Sequence, residues 1–177
     1  TAVDVFGGLD CAVNNAGITG AAAAIPDLSL EAWNRTLLVN LTGVFLCLKH
    51  EIPVMNEQGG GAIVNMASGA GFIPVPGLVH YCASKHGLLG LTKTAAVESA
   101  RTGVRINAIC PGSTDTPSLR AAMEGNPQVE KMILSSVPSR RLGRPQEIAE
   151  AAVWLCSDRA SYVNGASLLV DGGAVAR

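Results

Sequence analysis

Tyr81 and Lys85, in the segment YCASK, are residues whose types and spacing could move a proton. Residues four positions apart share a face of a helix, so the phenol and the ammonium group would project into the same space. A phenol has a pKa of about 10 in water, and a nearby positive charge favours the phenolate. We therefore expect Lys85 to lower the pKa of Tyr81, which could then donate and accept protons near neutral pH. A core tyrosine and a solvent-facing lysine would give the same spacing.

A serine and two small polar turns stand where strands are predicted to end. Ser68 ends the apolar segment AIVNMA, thirteen residues before Tyr81. Two other strand ends carry Asn14–Gly17 (NNAG) and Pro111–Thr116 (PGSTDT). Ligands of open α/β sheets bind at the carboxyl ends of the strands. These turns therefore indicate a site for a flat polar ligand that the backbone approaches closely.

The elements that must position these residues alternate along a chain of 177 residues, enough for one domain. Apolar segments predict strands at 9–14, 62–67, 104–110 and 166–170. Helical patterns cover 30–50 or further, 79–100 and 145–156, while 116–141 is predicted to hold short helices in a mobile loop. Alternating apolar strands and helices favour an α/β fold, a doubly wound parallel sheet in three α/β/α layers. We expect one domain over 1–177.

Composition and charge argue against several classes of protein. The net charge is −1 and the sequence has no run of lysine or arginine, so we expect neither nucleic acid nor an anionic membrane as a partner. No apolar stretch of about 18 residues is evident, so no transmembrane helix is expected. The five cysteines are scattered and odd in number, typical of reduced core thiols. Because no CxxC or HExxH pattern occurs, no metal site is expected.

Seven segments, in order and spacing, resemble the short-chain dehydrogenase/reductase family, in particular members like 3-oxoacyl-ACP reductase and glucose dehydrogenase. This resemblance extends over the whole chain and implies a Rossmann-like fold and an NAD(P)-dependent oxidoreductase that moves hydride between a nicotinamide cofactor and a secondary alcohol or ketone. The matching segments are NNAG (Asn14–Gly17), VNLTG with Asn40, IVNMAS ending on Ser68, YCASK (Tyr81–Lys85), VRINAICPG (Val104–Gly112), RLGRPQEIA (Arg141–Ala149) and LLVDGG (Leu168–Gly173).

The resemblance assigns four catalytic roles. Tyr81 would be the general acid/base on the substrate oxygen, and Ser68 would hydrogen-bond the same oxygen. Lys85 would lower the pKa of Tyr81 and hold the hydroxyls of the nicotinamide ribose. Asn40 would anchor a water that relays protons between Lys85 and solvent. The alternative for Asn40 is a structural asparagine whose side chain bonds nearby backbone.

The resemblance also implies residues that bind NAD or NADP. Asn15, Ala16 and Gly17 match the turn beside the adenosine half, and the turn after the third strand would meet the nicotinamide carboxamide. Tyr81 and Lys85 would contact the cofactor as well. A threonine at 114 departs from the usual isoleucine or valine, which puts its side-chain role in doubt. The residues of the second turn are Pro111, Gly112, Thr114 and Thr116.

The glycine-rich turn that cradles the cofactor diphosphate in this family is not in the sequence, nor is the residue that selects NAD or NADP. The resemblance implies about 70 preceding residues with three strands. We expect an N-terminally incomplete chain whose first strand, 9–14, is an exposed edge. The two hypotheses are an ordinary dehydrogenase and a truncated, non-catalytic binding or assembly module of the same fold.

Further expectations concern substrate, assembly and location. Apolar residues within 116–141, among them Met123 and Met132, would form a lid over a hydrophobic alcohol or ketone. The helices at 30–50 and 80–100 carry more apolar residues than one core-facing stripe needs. With the C-terminal VDGG region they predict a homo-oligomer, a tetramer or a dimer. We expect a cytoplasmic enzyme.

Overall fold

Four parallel strands form the centre of the computed structural model, which describes residues 2–176. The strands lie side by side in chain order, β1-β2-β3-β4, and each neighbouring pair is parallel. Parallel neighbours need a crossover between them, and helices occupy each crossover. The predicted α/β class with a parallel sheet is confirmed. The strands are β1 (Cys11–Asn14), β2 (Gly61–Met66), β3 (Val104–Pro111) and β4 (Ser167–Val170).

Seven α-helices flank and connect the strands in the described residues. The predicted cap Ser29 begins the second helix, where its Oγ accepts a hydrogen bond from the Ala32 N–H at 3.1 Å. A π-helical segment, Leu38–Thr42, joins the second and third helices without a break. The helices are α1 (Ala2–Phe6), α2 (Leu30–Leu37), α3 (Gly43–Glu57), α4 (Val79–Ser99), α5 (Pro117–Met123), α6 (Pro127–Ser136) and α7 (Pro145–Cys156).

The sheet is covered on both faces, as the three-layer prediction requires. Successive strand residues point to opposite faces, so Ile63 and Val64 enter different clusters. One cluster joins Ile63 to α3 and α4, and it includes the fully buried Leu88. The other joins Val64 to α7, where Leu155 is fully buried. The sheet is therefore a rigid platform whose strand ends can hold a site.

Two local expectations need correction. The first strand begins at Cys11 rather than at residue 9, because the Gln58 side chain takes both the N–H and the C=O of Leu9, at 3.0 and 2.8 Å. The cysteines are free, as expected, but they are not mainly core residues. Cys110 is buried, whereas Cys11 and Cys47 are exposed.

The continuous helix Leu30–Glu57 contains an 18-residue window with a mean hydropathy of 1.4, so by length and composition it could cross a membrane. The expectation that no such window exists is wrong. Core helices of soluble proteins meet the same criteria, so the window by itself assigns no membrane. Its apolar residues divide between the core, which takes Val44 and Leu48, and an exposed face with Leu38, Phe45 and Leu46.

Gly103 ends the segment after α4 in a left-handed conformation, with φ of +80°, and a Cβ there would lie 2.9 Å from the carbonyl oxygen of Gly59. Gly59 also has a positive φ, +88°, but a Cβ on it would meet nothing within 4 Å. We expect Gly59→Ala to lower the free energy of unfolding by about 1–2 kcal/mol through backbone strain. Gly103→Ala should cost more, because the Gly59 carbonyl must also move. Urea unfolding of both variants measures the difference, and equal losses would contradict the close contact.

Candidate active site

The carboxyl end of the sheet brings Ser68, Lys85 and the turn after β1 to one place. Lys85 lies on α4, and Ser68 follows β2. A Cβ built on Gly17 would be 3.6 Å from Lys85 Nζ and 3.3 Å from Asn40 Oδ1. The residues that the sequence places far apart therefore meet across three elements, and the small residue at 17 leaves space beside the lysine.

Lys85 is held in a fixed position by backbone. Its Nζ donates a hydrogen bond to the Met66 carbonyl oxygen at 2.8 Å, and the side chain is only 4% exposed. Burial lowers the pKa of Lys85 to about 8, although the nearby Cys110 thiol raises it in part. An ammonium group has three N–H donors, and Met66 takes one of them. The remaining donors suit ligand hydroxyls that lie beside Gly17.

Tyr81 and Ser68, which we expect to bond the same substrate oxygen, interact with each other. A hydrogen bond between their side chains lowers the pKa of Tyr81 in part, but burial is the larger effect, so that pKa lies above its ordinary value. Ser68 Oγ also accepts from the Ala70 N–H at 3.1 Å, which fixes the orientation of the serine. In this arrangement Tyr81 holds its proton at neutral pH and can present it to a substrate oxygen.

The expected lowering of the Tyr81 pKa by Lys85 is not what the structure shows. Lys85 Nζ lies 5.6 Å from the centre of the Tyr81 ring and directs a proton to the Met66 carbonyl. The cation lies over the ring face, and burial of Tyr81 is the largest influence on its pKa.

The side chain of Asn40 is fully buried and anchors the loop after β1. Its Oδ1 accepts from the Ile18 N–H at 2.8 Å, and its Nδ2 donates to the Ile18 carbonyl at 2.8 Å and to Ser84 Oγ at 3.1 Å. These bonds give Asn40 a structural role, which is the alternative to the proton relay. The backbone that Asn40 bonds, at Ile18, is 22 residues away rather than in the same helix turn. The water anchored by Asn40 stays a prediction.

The turn after β3 lies where the sequence predicted, against β4. The Gly112 N–H donates to the Val170 carbonyl at 3.1 Å, directly after Pro111 ends β3. Thr114 Oγ1 donates to the Gly112 carbonyl at 3.1 Å. Thr116 Oγ1 caps α5 by accepting from the Leu119 N–H at 3.3 Å. Both threonine side chains therefore form hydrogen bonds within the turn and its helix cap. A ligand would contact residue 114 through its backbone.

A polar network beside the site was not predicted. Asn14 Nδ2 donates to Glu51 Oε2 and to Asn65 Oδ1, each at 3.0 Å. Asn65 Nδ2 in turn donates to Thr92 Oγ1 at 3.0 Å. In the sequence, Asn14 stands out only as part of the NNAG motif. The signal for its contact with Asn65 is that two asparagines lie near the ends of neighbouring strands.

Comparisons with known proteins identify the family of this chain. A family model described as enoyl-(acyl carrier protein) reductase matches residues 1–175. The 2,5-dichloro-2,5-cyclohexadiene-1,4-diol dehydrogenase of Sphingobium indicum is 45% identical over 172 residues, which are 97% of this chain and 69% of that protein. The chain belongs to the short-chain dehydrogenase/reductase family. A cyclohexanol dehydrogenase of an Acinetobacter species is 46% identical over 171 residues, 97% of this chain and 66% of that protein.

A solved member of the family, described as ElxO with NADP bound, has a TM-score of 0.94 and 33% sequence identity. It matches 99% of this chain and 71% of its own. The short-chain dehydrogenase/reductase fold is thus shown for this chain, and this solved neighbour holds NADP. The residues described here fit the nicotinamide end of such a ligand, because Lys85 has donors to spare and Gly17 keeps the space beside it open.

The lowered pKa of Lys85 predicts how stability varies with pH in this dehydrogenase/reductase. Between pH 8 and 10.5 the folded state releases the Lys85 proton before the unfolded state does. The free energy of unfolding should therefore rise with pH over this range, by up to roughly 3 kcal/mol from this group. Urea unfolding at pH 7.5 and 10.5, for the wild type and for Lys85→Met, isolates the contribution. A gap between the two proteins that does not change with pH would contradict it.

Proposed function

We propose that this short-chain dehydrogenase/reductase interconverts a secondary alcohol and a ketone, as an NAD(P)-dependent enzyme of class EC 1.1.1. The observation that carries the proposal is the position of Lys85, whose Nζ is held by the Met66 carbonyl and lies 5.6 Å from the centre of the Tyr81 ring, with Ser68 close enough to influence that tyrosine. The bound nicotinamide nucleotide supplies or accepts the hydride. The chain's own residues supply the proton, the orientation of the substrate and the exclusion of water.

Proton transfer is the role we propose for Tyr81. In ketone reduction its hydroxyl gives a proton to the substrate oxygen, and in alcohol oxidation it takes that proton back. Ser68 Oγ donates a hydrogen bond to the same oxygen and stabilises the charge that develops there. The raised pKa of Tyr81 means that the proton is in place at neutral pH for the reductive direction. We further propose that Asn40 anchors a relay water next to Lys85.

Cofactor contacts are proposed at both ends of the ligand. Asn15, Ala16 and Gly17 are exposed after β1 and would border the adenosine half. Lys85 would bond the nicotinamide ribose, with Tyr81 beside it. The turn at Pro111, Gly112, Thr114 and Thr116 would meet the carboxamide. Both NAD and NADP are retained as candidates, and titration with each decides between them.

An alicyclic secondary alcohol is the substrate class we propose. Two relatives are named for six-membered carbocyclic alcohols. The segment 116–141 forms α5 and α6, and its Met123 and Ile133 are partly buried while Met132 is exposed. Apolar side chains on a segment proposed as the lid suit a ring without charged groups.

A substrate panel tests the proposed class. Cyclohexanol and substituted cyclohexanols are compared with a linear secondary alcohol, a sugar, a hydroxysteroid and an acyl thioester, each with NAD and with NADP. We expect the highest kcat/KM for the ring alcohols. A preference of about tenfold or more for any other class would overturn the substrate proposal, since that ratio corresponds to about 1.4 kcal/mol in the transition state.

The second candidate function is a non-catalytic binding or assembly module of the same fold. Such a module would keep the sheet and its helices but would not turn over a substrate. The intact mass of the protein purified from its source discriminates the two. A mass near the 18.2 kDa of this chain would favour the module. A mass of about 26 kDa, typical of the family, would favour the dehydrogenase.

Assembly into a homotetramer is also part of the proposal. Leu38, Phe45 and Leu46 are exposed on the Leu30–Glu57 helix, at 60%, 47% and 45%. Several exposed apolar side chains on one helix suit burial against a second copy of the chain. We expect light scattering at micromolar concentration to give a tetramer or a dimer, and a monomer would count against the proposal. We place the enzyme in the cytoplasm, where the five free cysteines would stay reduced.

A further inference from the structure

Side-chain hydrogen bonds tie the end of β1 to the neighbouring strand and to the helix layer on one face of the sheet. Asn14 Nδ2 has two protons, and one goes to Glu51 Oε2 on α3 while the other goes to Asn65 Oδ1 on β2. Asn65 passes the network on to Thr92 of α4. Asn14 and Asn65 are also register partners in the sheet. The side chain of Asn14 is therefore hydrogen-bonded to Asn65 on the neighbouring strand and to the Glu51 carboxylate on the helix above it.

The turn that follows has few other supports. β1 is only four residues long, and in the described residues it pairs with β2 alone. After Asn14 the chain is held by a bond from the Asn15 N–H to the Val13 carbonyl at 3.1 Å. Further along, the next anchor is Ile18, which is bonded to Asn40. The direction in which the turn leaves the sheet thus depends on how the Asn14 side chain is held.

We propose that Glu51 is a positioning residue, whose hydrogen bond to Asn14 sets the Asn15–Gly17 turn for the adenosine half of the nicotinamide nucleotide. This inference rests on the proposed function of that turn. Glu51 does not touch the ligand and takes no part in proton transfer. Its loss should therefore weaken cofactor binding and leave the turnover of the saturated enzyme nearly unchanged.

The surroundings of Glu51 favour a positioning role over a stabilising one. Burial raises the pKa of Glu51, and the bond from Asn14 only partly offsets this. The thiol of Cys47 is the titratable neighbour, and the charge of Glu51 in turn raises the pKa of that thiol. A half-buried carboxylate whose charge is disfavoured is a poor choice for stability alone. Glutamine would provide the same acceptor oxygen without the charge.

Three substitutions at Glu51 and one control separate these roles. Glu51→Gln keeps an oxygen for Asn14, Glu51→Leu removes it, and Glu51→Asp withdraws it by one methylene. Glu57→Leu, at an exposed position of the same helix, removes a carboxylate that is not part of the network. If the Glu51→Leu variant does not fold, Glu51→Asp serves in its place as the variant that lacks the bond to Asn14.

Equilibrium binding of NAD(H) and NADP(H) to the purified enzyme is the first readout. Glu51→Leu and Glu51→Asp should raise the Kd about tenfold, the loss of one hydrogen bond, with kcat at saturating cofactor changed less than about threefold. Glu51→Gln should restore the affinity to within about twofold of the wild type, and Glu57→Leu should leave it unchanged. Equal affinities of Glu51→Leu and Glu51→Gln would overturn the inference.

Backbone hydrogen exchange of the cofactor-free enzyme is the second readout. Glu51→Leu should speed exchange at the amides of residues 15–18, while peptides from β3 keep their wild-type protection. If Glu51→Leu instead speeds exchange throughout the chain and lowers kcat as much as affinity, Glu51 is only a structural residue and the proposal is contradicted. Should the wild type bind neither nucleotide, the proposed function fails on its own. The exchange data would then still report whether Glu51 orders the turn.

Discussion

Tyr81→Phe is expected to lower kcat by about 10²–10⁴-fold, the range typical of a positioned proton donor. Phenylalanine keeps the ring that contacts Lys85 Nζ, so the lysine should retain its place at the Met66 carbonyl. It removes only the hydroxyl, which is bonded to Ser68 and which we assign to the substrate oxygen. Nicotinamide nucleotide binding should therefore be largely unchanged.

The control for this variant is the other tyrosine of the chain. Tyr162 is fully exposed, so Tyr162→Phe makes the same chemical change outside the site and should leave kcat unchanged. Both variants are made in the full-length enzyme, and steady-state kinetics and cofactor titration complete the test. If Tyr81→Phe keeps more than about a tenth of the wild-type rate, Tyr81 is not the general acid/base.

The polypeptide Thr1–Arg177, expressed by itself, should bind neither NAD(H) nor NADP(H) measurably. Diphosphate is recognised by backbone N–H groups at a helix N-terminus that follows a glycine-rich turn. In the described residues, the turns after β1, β2 and β3 do not open an α-helix directly after a glycine-rich turn. The three glycines at 59–61 lead from α3 into β2, so they lie at the wrong end of a strand. The contacts that remain, at Asn15, Lys85 and the turn after β3, reach only the two ends of the ligand.

The size of this effect follows from the missing hydrogen bonds. Each charge-assisted bond to the diphosphate contributes about 1.5–3 kcal/mol, so losing several turns micromolar affinity into no practical binding. The same polypeptide should also be poorly soluble, because the free edge of β1 carries Val13 at 47% exposure. Isothermal titration with both nucleotides tests the expectation, with circular dichroism to establish folding. A folded, soluble polypeptide that binds either one at micromolar concentration would show that the cofactor site is misplaced.

The sequence alone determined the features that depend on neighbouring residues. Ser29 and Pro145 begin helices where predicted, since capping and proline geometry act within one turn. The apolar segments predicted the four strands and their parallel arrangement, with errors of one or two residues at the ends. The order of the seven motifs was sufficient to identify the family, and the resemblance predicted Ser68, Tyr81 and Lys85 as site residues.

Only the tertiary structure decided what these side chains do to one another. The spacing of Tyr81 and Lys85 predicted a lowered tyrosine pKa, but burial raises it, and desolvation depends on every layer packed around the ring. Likewise, Asn40 bonds Ile18 in the loop after β1, and Glu51 of α3 meets Asn14 at the end of β1. Such contacts join residues 22 and 37 positions apart, and no local pattern encodes them. They arise because packing α3 and α4 on one face of the sheet brings distant polar groups together, where each must find a partner.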